Sequence, residues 1–197
     1  MKFFNVSILG TTPLMHHKFS EEEMVKLMKN TKAKKDNVKP IDNEPRETAL
    51  SHCYYDDKGC YCPSSFIRGA FRHVSADYKQ TKGKRTYKAI AGGIFTVVEP
   101  KIYILNPKTD EIINPDKFEV DIQIAVNHKA GAVVVCRPRF DSWKLNFQCG
   151  LDTDLIDKST ALEILQDAGR RSGIGSYRVS KSGSYGQFDC ILFEEIK

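Results

Sequence analysis

Nowhere in this 197-residue chain do about 18 apolar residues run together, the length that a membrane-crossing helix needs. Nor is a secretory leader expected. The opening Met1–Leu14 has one Lys and a short apolar run, but Phe4, Val6 and Ile8 alternate with Asn5 and Ser7, and no small-residue cleavage site follows. That run reads as a first strand, and the chain as a soluble, cytoplasmic protein with no membrane partner. Cysteine pairs with two to four residues between them are absent. Cys53, Cys60 and Cys62 follow a C-x6-C-x-C spacing beside His52, which does not match the usual zinc-binding pairs. All six cysteines are therefore expected as reduced thiols that pack as small hydrophobes, and neither metal nor cofactor is expected. No Walker lysine follows a glycine-rich loop, so nucleoside-triphosphate chemistry of that kind is excluded. Internal repeats and low-complexity tracts are absent as well.

Acidic residues are missing from two particular places. Lys79, Lys82, Lys84, Arg85 and Lys88 lie in one segment without a single carboxylate, and Arg170, Arg171, Arg178 and Lys181 lie in another. Arg137 and Arg139 add a third cluster. The acids gather elsewhere, at Glu21–Glu23, Asp56–Asp57 and Asp152–Asp157. The net charge is only +5, but its separation predicts a basic face, and a basic face predicts a polyanionic partner.

Hydrophobic residues make up 41% of the chain, enough to fill a core. The periodicity predicts a strand over 2–9 and a helix capped by Ser20 with Glu23 as its capping-box partner. A polar, mobile insertion follows over 31–46. A hairpin comes next, over 53–62, turning at Asp56-Asp57-Lys58-Gly59. A helix from Pro63-Ser64-Ser65 to about Tyr78 carries Phe66, Ile67, Ala70, Phe71 and Val74 at helical spacing. Strands are expected over 93–98, 101–105, 118–126, 132–137 and 143–149, a helix from a Ser159 cap to Gly169, and a last strand over 187–194. The skeleton is strand, helix, strand, strand, helix, strand. That order predicts an α+β fold with a ferredoxin-like, RRM-like βαββαβ core. It forms one domain over 1–197, with a mobile N-terminal insertion over 11–62 and a β-rich insertion in the middle.

The glycine-rich stretch from Gly169 to Phe188 is the strongest local signal. Gly173 and Gly175 leave backbone amides uncovered, so that phosphate can approach closely. Arg170, Arg171, Arg178 and Lys181 supply countercharge, and Tyr177 and Tyr185 supply faces for stacking bases. The competing reading is a flexible loop between a helix and a strand.

The segment Tyr61-Cys62-Pro63-Ser64-Ser65-Phe66-Ile67-Arg68-Gly69-Ala70-Phe71-Arg72 resembles the helix opening of the RAMP superfamily, the repeat-associated proteins of CRISPR effector complexes. The opening Val6-Ser7-Ile8-Leu9-Gly10-Thr11-Thr12-Pro13-Leu14 is similar to that family's first strand, and the glycine-rich loop sits where the family has its own. The three matches come in the family's order. The resemblance implies an RRM-like core, RNA held along a basic cleft and an insertion that folds over the strand. The loop has seven residues between Gly175 and Gly183, and the chain is short for a backbone subunit, which points to a stand-alone relative, for instance one carried by a mobile element.

The expected function is non-enzymatic binding of single-stranded RNA or single-stranded DNA. Lys79, Lys82, Lys84, Arg85 and Lys88 would line the approach, with Arg137 and Arg139 beside them, and the Arg170–Lys181 loop would hold the strand. Arg68 and Arg72, one helical turn apart, would bind phosphate or pair with acids such as Asp77. Two further readings stand beside this one. His16 or His17 would act as general base of a metal-independent ribonuclease, or else be two exposed polar residues. Alternatively, the surface would dock onto CRISPR complex subunits, or onto copies of the chain itself. Trp143 and Phe140 read either as base-stacking groups or as core.

Overall fold

The computed structural model describes residues 1–19, 24–25, 44–81, 83–127 and 131–196. The expected capping box at 20–23, most of the polar insertion and Lys82 lie outside the described residues.

Strand β1 (Lys2–Gly10) lies one strand in from the edge of the larger sheet. Its alternation decides its faces: Phe4, Val6 and Ile8 are buried, while Phe3 and Asn5 are exposed. On one side it pairs antiparallel with β10 (Phe188–Glu195), and on the other with β9 (Lys144–Leu151). Val6 thus sits between Phe193 and Phe147. Strand β9 is shared at its far edge. Its second half pairs with β5 (Phe95–Val97), and its first half with β6 (Lys101–Leu105). Beyond β6 come β4 (Gly59–Pro63) and the short β3 (Tyr55–Asp56), giving the order β10-β1-β9-β6-β4-β3 with β5 beside β9. A second sheet has the order β2 (Leu14–Met15), β8 (Gly131–Phe140), β7 (Glu119–Asn127). The fold is α+β, with antiparallel sheets and few helices.

Four helices are described: α1 (Pro45–Ser51), α2 (Ser64–Val74), the single turn α3 (Ala91–Ile94) and α4 (Lys158–Asp167). Helix α2 buries Ile67, Ala70, Phe71 and Val74, one stripe at helical spacing, against the sheet and α4. Phe71 stacks on Phe95 with ring centroids 4.2 Å apart. The helix ends at Val74 rather than Tyr78 because Ser75 turns its hydroxyl back onto the Phe71 carbonyl at 2.7 Å. Tyr78 lies beyond that turn and donates its hydroxyl to Asp167 of α4. The expected strand over 93–98 begins only at Phe95, because residues 91–94 form the turn α3.

Trp143 is core. Its indole is fully buried against Phe188, and Nε1 donates to the Thr12 carbonyl at 2.8 Å. A side chain at Gly10 would meet that ring at 2.3 Å. The five cysteines Cys53, Cys60, Cys62, Cys136 and Cys149 are buried, Cys190 is half-buried, and none is in a disulfide. No described helix is long and apolar enough to cross a membrane.

Helix α4 is capped by Asp157, one residue before the helix, and not by Ser159. The Asp157 carboxylate accepts the Thr160 amide at 2.9 Å. Hydrogen bonds from the Ser159 hydroxyl and from Thr160 hold that carboxyl down to about 2. Asp157→Ala should cost about 1 kcal/mol in urea unfolding at neutral pH. Because the folded-state pKa is depressed, the carboxylate's contribution is fully present above pH 3.8 and fades as pH falls through about 2. The difference between the two proteins should therefore shrink over that window.

Candidate nucleic-acid interface

The glycine-rich loop is built by backbone contact. After α4 the chain widens into a π-helical turn, Ala168–Ser172, in which the Gly173 amide reaches back five residues to Ala168. Gly169 lies so close to β10 that a Cβ there would meet the Phe188 carbonyl oxygen at 1.9 Å. The Gly173 amide donates to the Ala168 carbonyl, the Ile174 amide to Gly186, the Ser176 amide to Met15 and the Gly186 amide to Pro13. Gly173, Gly175 and Gly186 take positive φ values of 66°, 79° and 72°, which glycine adopts without strain. A Cβ would also meet backbone oxygen at each of them: Tyr185 at 2.9 Å for Gly173, Met15 at 2.4 Å for Gly175 and Ile174 at 1.9 Å for Gly186. The expected row of uncovered amides is therefore not what the loop presents at Gly173 or Gly186, whose N–H groups are used internally. These glycines let the loop press against residues 13–15 and against itself.

Between this loop and α2 lies a cleft of about 380 Å3. Ser65, Gly69 and His73 line it from the helix, and Gly175, Arg178 and Lys181 line it from the loop. A Cβ at Gly69 would meet nothing within 4 Å, so no internal packing requires glycine there. Around the same helix, Arg68, Arg72, Ser65 and Gly92 line an adjoining depression of about 210 Å3. The helix starts after Pro63 without a side-chain cap, and its Ser64 amide donates to the Pro100 carbonyl at 3.0 Å.

The predicted cations divide into three groups. Among the described residues, Arg68, Arg72, Lys79, Lys84, Arg85, Lys88 and Lys181 are exposed and form no ion pair. Of these, Lys79, Lys84, Arg85 and Lys88 sit in the loop closed by the Lys79–Thr86 bridge and in the turn after it, and they do not line the cleft. The second group is matched by acids. Arg171 pairs with Asp77 and, at 3.2 Å, with Asp167. Arg170 reaches Asp189 at 3.7 Å, and Arg139 pairs with Asp141 at 2.7 Å and Asp121 at 3.5 Å. The third group is structural. Arg178 donates to the Gly175 carbonyl and the Ser180 hydroxyl, shaping the loop that carries it. Arg137 is only 8% exposed; its guanidinium lies over the Tyr177 ring at 4.4 Å and donates to His17 Nδ1 at 3.3 Å. One face of Tyr177 is thus already covered.

The two histidines part company. His16 is fully buried among Tyr54, Phe66 and Phe140, which overturns the reading of two exposed polar residues. Burial drives its pKa down to about 3, so the ring stays neutral. His17 is half-buried and stacks on His52, whose Nδ1 lies 2.8 Å from the Lys18 carbonyl.

Sequence reasoning missed Ser65, Gly69 and His73. Their signal was present as the small and polar face of an amphipathic helix whose other face had been recognised.

No known protein-family profile matches the chain, and no curated protein matches it in sequence. Solved structures do. A chain of the type III-B Cmr-beta complex bound to cognate target RNA aligns with a TM-score of 0.52 at 15% identity, covering 100% of this chain and 61% of that one. A chain of a type IV-B CRISPR complex aligns with a TM-score of 0.50 at 12% identity, covering 96% of this chain and 90% of that one. The protein thus has a fold like that of subunits of CRISPR effector complexes, and it spans about three fifths of the Cmr-beta chain.

The two kinds of glycine separate by substitution. Gly69→Ala should leave the fold intact and raise stability by up to about 1 kcal/mol, since alanine is the better helix former. Gly186→Ala places a Cβ against the Ile174 carbonyl at positive φ and should cost more than about 1 kcal/mol. Thermal unfolding of the two variants beside the parent reads both signs.

Proposed function

We propose that the protein binds single-stranded nucleic acid, RNA in preference to DNA, without cleaving it. The strand would run across the exposed face of α2 and against the glycine-rich loop. The observation that carries this reading is the cleft at Gly69. It has a glycine in its wall with open space before it, a helix start without a side-chain cap nearby, and Arg178 and Lys181 on one flank with Arg68 and Arg72 on the other. A sugar–phosphate backbone needs such close approach together with countercharge. The open face of the larger sheet suits a strand less well. It is an amide ladder, with Ser7 bonded to Asn146 at 2.7 Å and Gln148 to Asn5 at 3.2 Å, and it has Phe3 at its margin instead of a central aromatic platform. Preference for RNA is supported by the likeness to a chain from a complex bound to target RNA.

The finer fold reading belongs to the same proposal. Strands β1, β6 with β5, β9 and β10, with helices α2 and α4, form a ferredoxin-like core. Its support is the order β10-β1-β9-β6, in which every neighbouring pair is antiparallel. Binding is favoured over cleavage because His16 is sealed in the interior and the His17 ring is engaged by Arg137 and His52. A second reading, docking onto CRISPR complex subunits, is favoured by Ile122, Ile124 and Val134, which stand exposed on β7 and β8, Ile124 at 72%.

Fluorescence anisotropy with a labelled single-stranded RNA and a matched DNA tests the proposal. Binding should weaken as salt rises, and Arg68→Ala/Arg72→Ala/Lys181→Ala should weaken it at least tenfold, on the order of three lost phosphate contacts, and flatten the salt slope by about 2. Gly69→Glu should abolish binding while the protein stays folded. Unchanged affinity in both variants, or no binding to either strand, would remove the strand-binding reading and leave docking.

A further inference from the structure

His16 and three thiols meet in the interior, away from the cleft. Cys60 and Cys62 lie two apart on β4, so both point to the same face, and both are fully buried. The Tyr61 amide donates to the Tyr54 carbonyl at 2.9 Å, which continues the β3–β4 ladder one step and brings Cys53 alongside. Cys53 Sγ lies 3.8 Å from Cys60 Sγ and 3.8 Å from His16 Nδ1. Cys62 Sγ lies 3.6 Å from His16 Nε2. All four side chains are 0% exposed.

Such a cluster is a poor way to satisfy a buried imidazole. Its polar neighbours are the Tyr54 amide at 3.3 Å and two thiols, which are weak hydrogen-bonding groups. Three sulfurs and one imidazole nitrogen are, however, a donor set for tetrahedral zinc. With Zn–S near 2.3 Å and Zn–N near 2.0 Å, the edges of such a tetrahedron are about 3.8 Å between sulfurs and about 3.6 Å between sulfur and nitrogen. The Cys53–Cys60 and Cys62–His16 Nε2 separations match these edges, while the Cys53–His16 distance ends on the other ring nitrogen. As the side chains stand, no three donors among the described residues converge on one point, because Cys53 faces one ring nitrogen and Cys62 the other. Binding asks for rotation of the His16 ring and of the thiols. Burial and the neighbouring Cys60 hold the Cys62 thiol well above its ordinary pKa, and Cys53 is raised likewise by its bond to Cys60 and by burial. A bound cation reverses that balance and releases the thiol protons.

We infer that His16, Cys53, Cys60 and Cys62 form a structural zinc site. It would join the end of β2, the segment after α1 and the β3–β4 hairpin, and so tie the smaller sheet to the larger.

The full chain, purified without chelator from zinc-supplemented cells, should carry about one zinc per chain by elemental analysis and native mass spectrometry. Reconstitution with Co2+ under reducing, anaerobic conditions should give thiolate-to-cobalt charge-transfer absorption and the visible bands of a tetrahedral centre. Cys60→Ser and His16→Ala should lose most of the metal, whereas Cys149→Ser, which removes another buried thiol, should keep it. Should those variants fail to fold, the parent protein still decides the matter. A mercurial titrated against its thiols should release zinc to a colorimetric chelator in step with three sulfurs, and chelation should lower its melting temperature. Protein that is metal-free as purified and takes up no Co2+, or metal retained equally by Cys60→Ser and His16→Ala, overturns the site.

Discussion

Everything that gives this molecule a candidate site depends on one short stretch, Pro13 to His17, being gripped from both sides. On one side Leu14 and Met15 pair with Phe140 and Arg139 of β8. On the other, the carbonyls of Pro13 and Met15 accept the amides of Gly186 and Ser176 from the glycine-rich loop. Such backbone-to-backbone contact leaves no room for side chains, so the glycines of the loop are a geometric requirement of the fold. His16 then points into the interior among the thiols, while His17 faces Arg137. The C-terminal loop, the N-terminal segment and both sheets are thereby held in one register, and the cleft along α2 has a fixed wall.

Strand and helix content was readable because burial follows simple periods. The alternation in β1 and the 67-70-71-74 stripe in α2 correspond to the faces that the structure buries. The errors were local competitions that hydrophobic pattern does not encode. Ser75 ends α2 by bonding backward to Phe71, and Asp157 outcompetes Ser159 for the N-terminus of α4 because its carboxylate reaches the Thr160 amide. The pairing of β9 with three strands at once comes from its length relative to β5 and β6, a tertiary fact with no local signature.

The site was legible in part. Charge separation pointed to segments that are in fact exposed, but not to how far each cation is already neutralised. Arg171 lies in a stretch without acids and is nevertheless held by Asp77, 94 residues earlier in the chain. Arg137 read as a surface cation and is enclosed beneath Tyr177 and His17. Gly69 was read only as part of the helix-opening motif, whereas here it leaves open space in the wall of the cleft. The spacing of Cys53, Cys60 and Cys62 argued against a metal when read along the chain; the fourth donor, His16, lies 37 residues before Cys53 and comes beside the thiols only through the fold.

The tip of the glycine-rich loop is tied to its base at one side chain, Ser180, whose hydroxyl accepts from Ser172 and Arg178. Val179–Lys181 form a single 3-10 turn without a buried side chain, closed by the amides of Lys181 and Gly183 on the Arg178 carbonyl. Below that point the Tyr177–Tyr185 bond and the Arg178–Tyr185 bridge seal the stem. Apart from Ser180, the residues between Arg178 and Gly183 form an exchangeable cassette: none has a buried side chain, so their chemistry can diverge without disturbing the stem.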